Sequence, residues 1–142
     1  MRRSNNLLSR TWSRRAATWL VALPLAIAGA ASAADFPFDR ELVLNASPMR
    51  GSKRVPSLEI GPTGETSVDL WCSTFSAQLV VAGETLTVLI GNKIATSPCD
   101  PDRTRADEEL LATLQQVTGW QMQGDTLTLS GDKTLKFRIS SH

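Results

Sequence analysis

The side chains of this sequence that could carry the most informative chemistry are its two cysteines, Cys72 and Cys99. Two cysteines in an exported protein usually form a disulfide, and closing a loop of this length stabilises a domain by roughly 3–4 kcal/mol. Two buried thiols are one alternative, and a metal or redox site is another. Zn²⁺ takes about four ligands from cysteine, histidine or carboxylate, whereas the only histidine is the last residue, His142. We predict a disulfide and no metal site.

Catalytic groups are sparse in the remaining sequence. A serine or cysteine nucleophile needs a base held in place by a third group, and a terminal His142 is a poor base for that purpose. Acid–base catalysis uses paired carboxylates, but the clustered acids are better explained as helix caps and partners of the helix dipole: Asp100, Asp102, Asp107, Glu108 and Glu109. The sequence therefore predicts no catalytic residues, no cofactor and no enzymatic activity.

The first 33 residues have the pattern of a secretory signal. Five arginines and no acid lie in residues 1–15, an apolar run follows from Ala16 to Ala28, and Ala31-Ser32-Ala33 matches a cleavage site. This order is typical of a cleaved signal peptide, with an uncleaved anchor in the inner membrane as the alternative. We predict a single domain over residues 34–142 in the periplasm or secreted, without stable membrane insertion after cleavage.

Removal of the signal changes the charge of the protein. The chain has 15 basic and 14 acidic residues, and the five arginines of the signal leave ten basic residues and a net charge of −4. Nucleic-acid binding depends on basic contacts to phosphate. An acidic domain therefore favours an unknown protein or small ligand of the cell envelope as the partner over nucleic acid, and we expect a monomer.

Most of residues 34–142 alternates between apolar and polar side chains, which is typical of strands with one buried face. The turns are short, for example Ala82-Gly83-Glu84, so neighbouring strands must be antiparallel. The sequence predicts an α+β, β-rich fold. It is a curved antiparallel sheet or partly open β-barrel of about eight strands, with one amphipathic helix at about residues 104–117 packed on it.

The predicted helix has apolar residues on one face at Ala106, Leu110, Leu111, Leu114 and Val117, the spacing of an amphipathic helix. Thr104 followed by Asp107 is an acidic variant of a capping box. Asp100 before Pro101 is a second possible start, because proline suits the first helical position. Gly119 is expected to end the helix.

Three blocks of the sequence resemble the META domain family, also called HslJ-like. Trp71-Cys72-Ser73 with the following strand resembles the family's Gly-Cys-Asn block, and Gly83-Glu84-Thr85-Leu86 running on to Cys99 resembles its Gly-Asp-x-Leu strand and Met-Ala-Cys block. The segment from Glu109 through Trp120 to Leu129 resembles its helix, tryptophan and last hairpin. Trp71, Ser73 and Ser97-Pro98 depart from the family pattern.

The resemblance implies a small exported bacterial domain with a β-rich fold, in a family linked in part to stress or drug tolerance, and it implies no catalytic residues. We therefore expect a non-catalytic envelope domain with a binding or stress-tolerance role. The alternative is a small enzyme or protease-inhibitor-like module that acts through exposed loops.

Two surfaces are predicted from the residues themselves. Trp71 and Leu89 interrupt the polar face of their strands, so an apolar patch around them, bordered by Asp69 and Lys93, is the expected partner surface. The loop of residues 46–56 carries the densest basic cluster of the domain and is a possible contact, through Arg50, Lys53 and Arg54.

Overall fold

The fold comprises eight strands and one helix, in a computed structural model that describes residues 35–141. The predicted signal peptide therefore lies outside the described residues. The elements are β1 Arg40–Leu44, β2 Ser57–Ile60, β3 Glu65–Asp69, β4 Ser73–Ala82, β5 Thr85–Thr96, α1 Pro101–Gln115, β6 Gly119–Gln123, β7 Thr126–Ser130 and β8 Leu135–Ile139.

The strands form one antiparallel sheet that closes on itself. Each strand pairs with the next along the chain, and β8 returns to β1, where Leu44 lies opposite Phe137. The join between β5 and β6 is the narrowest, with Thr85 opposite Gly119 as its single paired position. The predicted β-rich α+β fold, a strongly curved antiparallel sheet with one helix, is confirmed.

The core fills the inside of the ring. Strand residues of one parity point inward, as the alternation predicts, and the largest fully buried side chains are Phe137, Leu42, Ile60, Leu70, Leu86, Leu114, Leu127, Leu129, Val68 and Pro56. Leu110 and Leu114 of α1, with Val117 after it, join the same cluster. Trp120 also packs in this core, edge-on to Phe36 at 5.1 Å between ring centroids.

The helix begins and ends earlier than predicted. Asp100 is the N-cap and accepts a hydrogen bond from the Arg103 N–H at 3.0 Å, with Pro101 at the first helical position. The start at Thr104 is therefore wrong, because the Asp100-Pro101 pair supplies both the cap and the fixed φ. The helix ends at Gln115. Gly119 is not its stop signal, since it begins β6 and lies opposite Ser130.

Candidate functional site

The corner between β3 and β4 is held by a buried acid of the helix. Asp107 is 4% exposed, and its carboxylate accepts the backbone N–H groups of three successive residues. Trp71 donates to Oδ1 at 2.8 Å, Cys72 donates to Oδ2 at 3.1 Å, and Ser73 donates to Oδ2 at 3.0 Å. Successive backbone N–H groups of this kind form an anion-binding concavity, which Asp107 fills from within the same chain.

The Asp107 carboxyl experiences two opposing influences on its pKa. Burial raises the pKa, because the charged form loses its contact with water, while the N–H groups of Cys72, Trp71 and Ser73 pull it down. The balance is a pKa raised from the ordinary value for aspartate. Asp107 was predicted to be a cap or a partner of the helix dipole, and that prediction is wrong, because its side chain is buried and accepts hydrogen bonds from the β3–β4 corner.

The predicted disulfide joins the same corner to the segment before α1. Cys72 and Cys99 are bonded across a sequence separation of 27 residues, and Cys72 is 3% exposed. The Ser97 N–H also donates to the Cys72 carbonyl at 2.8 Å. The corner is therefore bonded to the segment before the helix through Cys99 and to the helix itself through the Asp107 carboxylate, about two helical turns beyond the cap residue Asp100.

Trp71 does not belong to the surface predicted around it. Trp71 is 8% exposed, so it is buried and cannot form the predicted apolar patch together with Leu89. The alternation that placed Trp71 on the outer face ends with β3 at Asp69. Beyond that residue the backbone turns, and its direction is set by the contacts with Asp107 rather than by the pleat of a strand.

The exposed apolar side chains instead lie on the hairpin of β4 and β5. The large exposed hydrophobic residues of the described chain are Val80 at 48%, Leu89 at 54% and Ile94 at 63%. Val80 lies opposite Thr87, and Leu89 lies opposite Gln78, so Val80 and Leu89 are diagonal neighbours on the outer face. Lys93 and Ile94 lie four and five residues beyond Leu89 along β5, and the Lys93 Nζ is 5.5 Å from the centre of the Phe75 ring. We call Val80, Leu89, Lys93 and Ile94 the β4–β5 surface.

The two predicted contact regions meet at Asp69. Arg54 of the basic loop approaches the Asp69 carboxylate at 3.6 Å, and Asp69 also accepts a 2.6 Å hydrogen bond from the Thr74 hydroxyl. Arg50 and Lys53 remain exposed. Arg54 is therefore partly engaged in an ion pair, and the printed partners of Asp69 are Arg54 of the loop and Thr74 of β4.

No group of three histidine, cysteine, aspartate or glutamate side chains among residues 35–141 is placed to hold a metal ion. An open groove of about 790 Å³ lies beside β6 and β7, lined in part by Glu84, Gln121, Met122 and Thr128. The site with the most distinctive chemistry is thus the β4–β5 hairpin with its fixed corner.

Comparison with known families agrees with this architecture. The model of the META domain family matches residues 40–141. The chain belongs to the META domain family. The match spans all eight strands and the helix, so the corner at Cys72 and the β4–β5 surface both lie within the family domain.

Solved structures similar to this META domain share its fold. The NMR structure of a protein from Burkholderia xenovorans matches with a TM-score of 0.56 and 20% identity, over 74% of this chain and 84% of that chain. A second NMR structure matches with a TM-score of 0.54 and 19% identity, over 71% of this chain and 89% of that chain. At such identities the similarity establishes the fold alone. No curated protein matches this chain.

Among residues 35–141, no helix is long and apolar enough to span a membrane.

Proposed function

We propose that this META-domain protein is a non-catalytic binding domain of the bacterial cell envelope that supports stress tolerance by holding a protein partner on its β4–β5 surface. The observation that carries the proposal is the pair of Val80 and Leu89, two large exposed apolar side chains that are diagonal neighbours on the outer face of one hairpin, with the exposed Ile94 further along β5. Exposed apolar residues that cluster in this way are typical of interaction surfaces.

The anchoring of the hairpin supports this proposal. One end of β4 and the end of β5 are linked by the Cys72–Cys99 disulfide, and Asp107 holds the backbone at the start of β4. A surface that is rigid before binding loses less conformational entropy when the partner arrives. The arrangement therefore suits a contact surface better than a moving lid.

The proposed location is the periplasm. A disulfide persists in an oxidising compartment, and residues 1–33 have the pattern of a signal that is removed on export. Mass spectrometry of the protein recovered from the periplasmic fraction is expected to give an N-terminus at Ala34. Recovery of the protein with Met1 intact in the membrane fraction would contradict both the location and the cleavage.

Leu89→Glu is expected to abolish partner binding while the fold is kept, because the Leu89 side chain is 54% exposed and points away from the core. In a strain deleted for this gene, survival of heat and antibiotic stress should be restored by the wild-type protein and not by Leu89→Glu. Gln121→Glu is the matched control, since Gln121 is also exposed on a strand, β6, and should restore survival. Full rescue by Leu89→Glu at equal protein levels would contradict the proposal.

A further inference from the structure

The long strand β5 has an open edge. β4 pairs with β5 from Thr85 to Thr96, but on its other side β5 meets β6 only where Thr85 lies opposite Gly119. Two hydrogen bonds flank that position, from the Leu86 N–H to the Thr118 carbonyl and from the Trp120 N–H to the Glu84 carbonyl. Within residues 35–141, no strand pairs with positions 87–96 on this side. The helix α1 also contacts β5, but every residue from Gly91 to Thr96 is exposed. Alternate backbone N–H and C=O groups of a strand point toward each edge, so this part of the edge can accept another strand.

The far half of that edge is both exposed and fixed in place. Every residue from Gly91 to Thr96 is exposed, and Ile94 is the most exposed large apolar side chain. The disulfide at Cys99 and the bond from the Ser97 N–H to the Cys72 carbonyl hold the end of the strand. An incoming strand would therefore meet an edge that is already ordered, which lowers the entropic cost of binding.

The charge on β5 indicates what kind of strand fits. Lys93 is the only charged residue between Thr85 and Thr96, and its ammonium lies near the Phe75 ring. We propose that the open edge of β5 takes up an extended segment of the partner protein as an additional strand, with apolar side chains beside Leu89 or Ile94 and a carboxylate beside Lys93. This inference rests on the proposed function, since it names the way in which the partner is bound.

A second copy of the chain fits this edge less well than an acidic segment does. Edge-to-edge pairing would bring Lys93 of each copy into one interface. A lysine on an edge discourages pairing between copies of the same protein, while a carboxylate-bearing segment turns the lysine into an attraction.

The experiment uses the full chain labelled with ¹⁵N and three capped octapeptides of alternating valine and threonine. One peptide carries a central glutamate, the second a central lysine, and the third adds a proline to the glutamate peptide. The glutamate peptide is expected to shift and protect the amides of Gly91–Thr96. The proline peptide should bind more weakly, because proline removes a backbone donor.

Reversal of the charge gives the sharpest result. Lys93→Glu should lower the affinity for the glutamate peptide by about five-fold, as for the loss of an exposed ion pair. The same variant should bind the lysine peptide more tightly than the glutamate peptide. Lys136→Glu is the control and should change neither affinity, because Lys136 is exposed on β8, a strand paired on both sides.

Three results would overturn the proposed edge. The first is a set of peptide-induced amide shifts confined to other strands. The second is equal affinity of the wild type for the glutamate and lysine peptides. The third is a change in the amide shifts of Gly91–Thr96 with protein concentration in the absence of peptide, which would indicate pairing with a second copy. Failure of peptide binding together with loss of stress survival in Leu89→Glu would reject the edge and keep the partner surface. Survival with Leu89→Glu would reject the partner surface itself.

Discussion

Asp107→Ala is expected to lower the free energy of unfolding by about 3–5 kcal/mol, because it leaves three buried backbone donors without an acceptor at about 1–3 kcal/mol each, with part of the cost relieved by entering water. The donors are the N–H groups of Trp71, Cys72 and Ser73, which all point at the Asp107 carboxylate. Small domains have a total stability of about 5–15 kcal/mol, so this single change removes a large share of it. Urea unfolding followed by circular dichroism measures the loss.

Two further variants isolate the role of the carboxylate oxygens. Asp107→Asn keeps the shape of the side chain but turns an amide NH₂ toward the backbone donors, so it should cost about 1–3 kcal/mol for one unsatisfied group. Glu108→Ala, at the exposed neighbouring position of the helix, should stay within about 0.5 kcal/mol of the wild type. Equal stability of Asp107→Ala and Glu108→Ala would show that the Asp107 contacts contribute nothing to folding.

The position of Asp107 was accessible from the sequence, although its partners were not. Leu110 and Leu114 follow it at three and seven residues, which is the spacing of one helical face, so the aspartate lies on the apolar side of α1. A buried acid must find hydrogen-bond donors, and that rule predicts an anchor. Which donors it finds depends on how the β3–β4 corner meets the helix, and this contact spans more than 30 residues of sequence.

The alternation of apolar and polar residues predicted the curved sheet and failed where the strand pattern is interrupted. Trp71 follows the end of β3 at Asp69, so its parity no longer indicates its direction. About eight strands were predicted, but Gly119 was interpreted as the end of the helix and instead begins β6. Val80 was not included in the predicted patch, although it follows the buried Leu79 and therefore has the parity of the outer face.

Cys99→Ala is expected to lower the free energy of unfolding by about 3–4 kcal/mol, because the cross-link to Cys72 closes a loop of 27 residues and restricts the unfolded chain. Chemical unfolding with and without a reductant measures this effect. Reduced wild-type protein should lose nearly the same stability as Cys99→Ala. Cys72→Ala should lose somewhat more, since the Cys72 side chain is buried and its packing is lost in addition.

The combination of Cys99→Ala with Asp107→Asn distinguishes two ways in which the corner can be stabilised. In the chain-entropy account the disulfide acts on the unfolded state, whereas Asp107 acts by satisfying donors in the folded state. If the two effects are independent, the two losses of unfolding free energy add to within about 0.5 kcal/mol in the double variant. A double variant that is clearly less stable than the sum would show that each tether holds the corner in place for the other, and that the disulfide stabilises the native hairpin directly. A reduced wild type as stable as the oxidised protein would contradict any stabilising role for the bond.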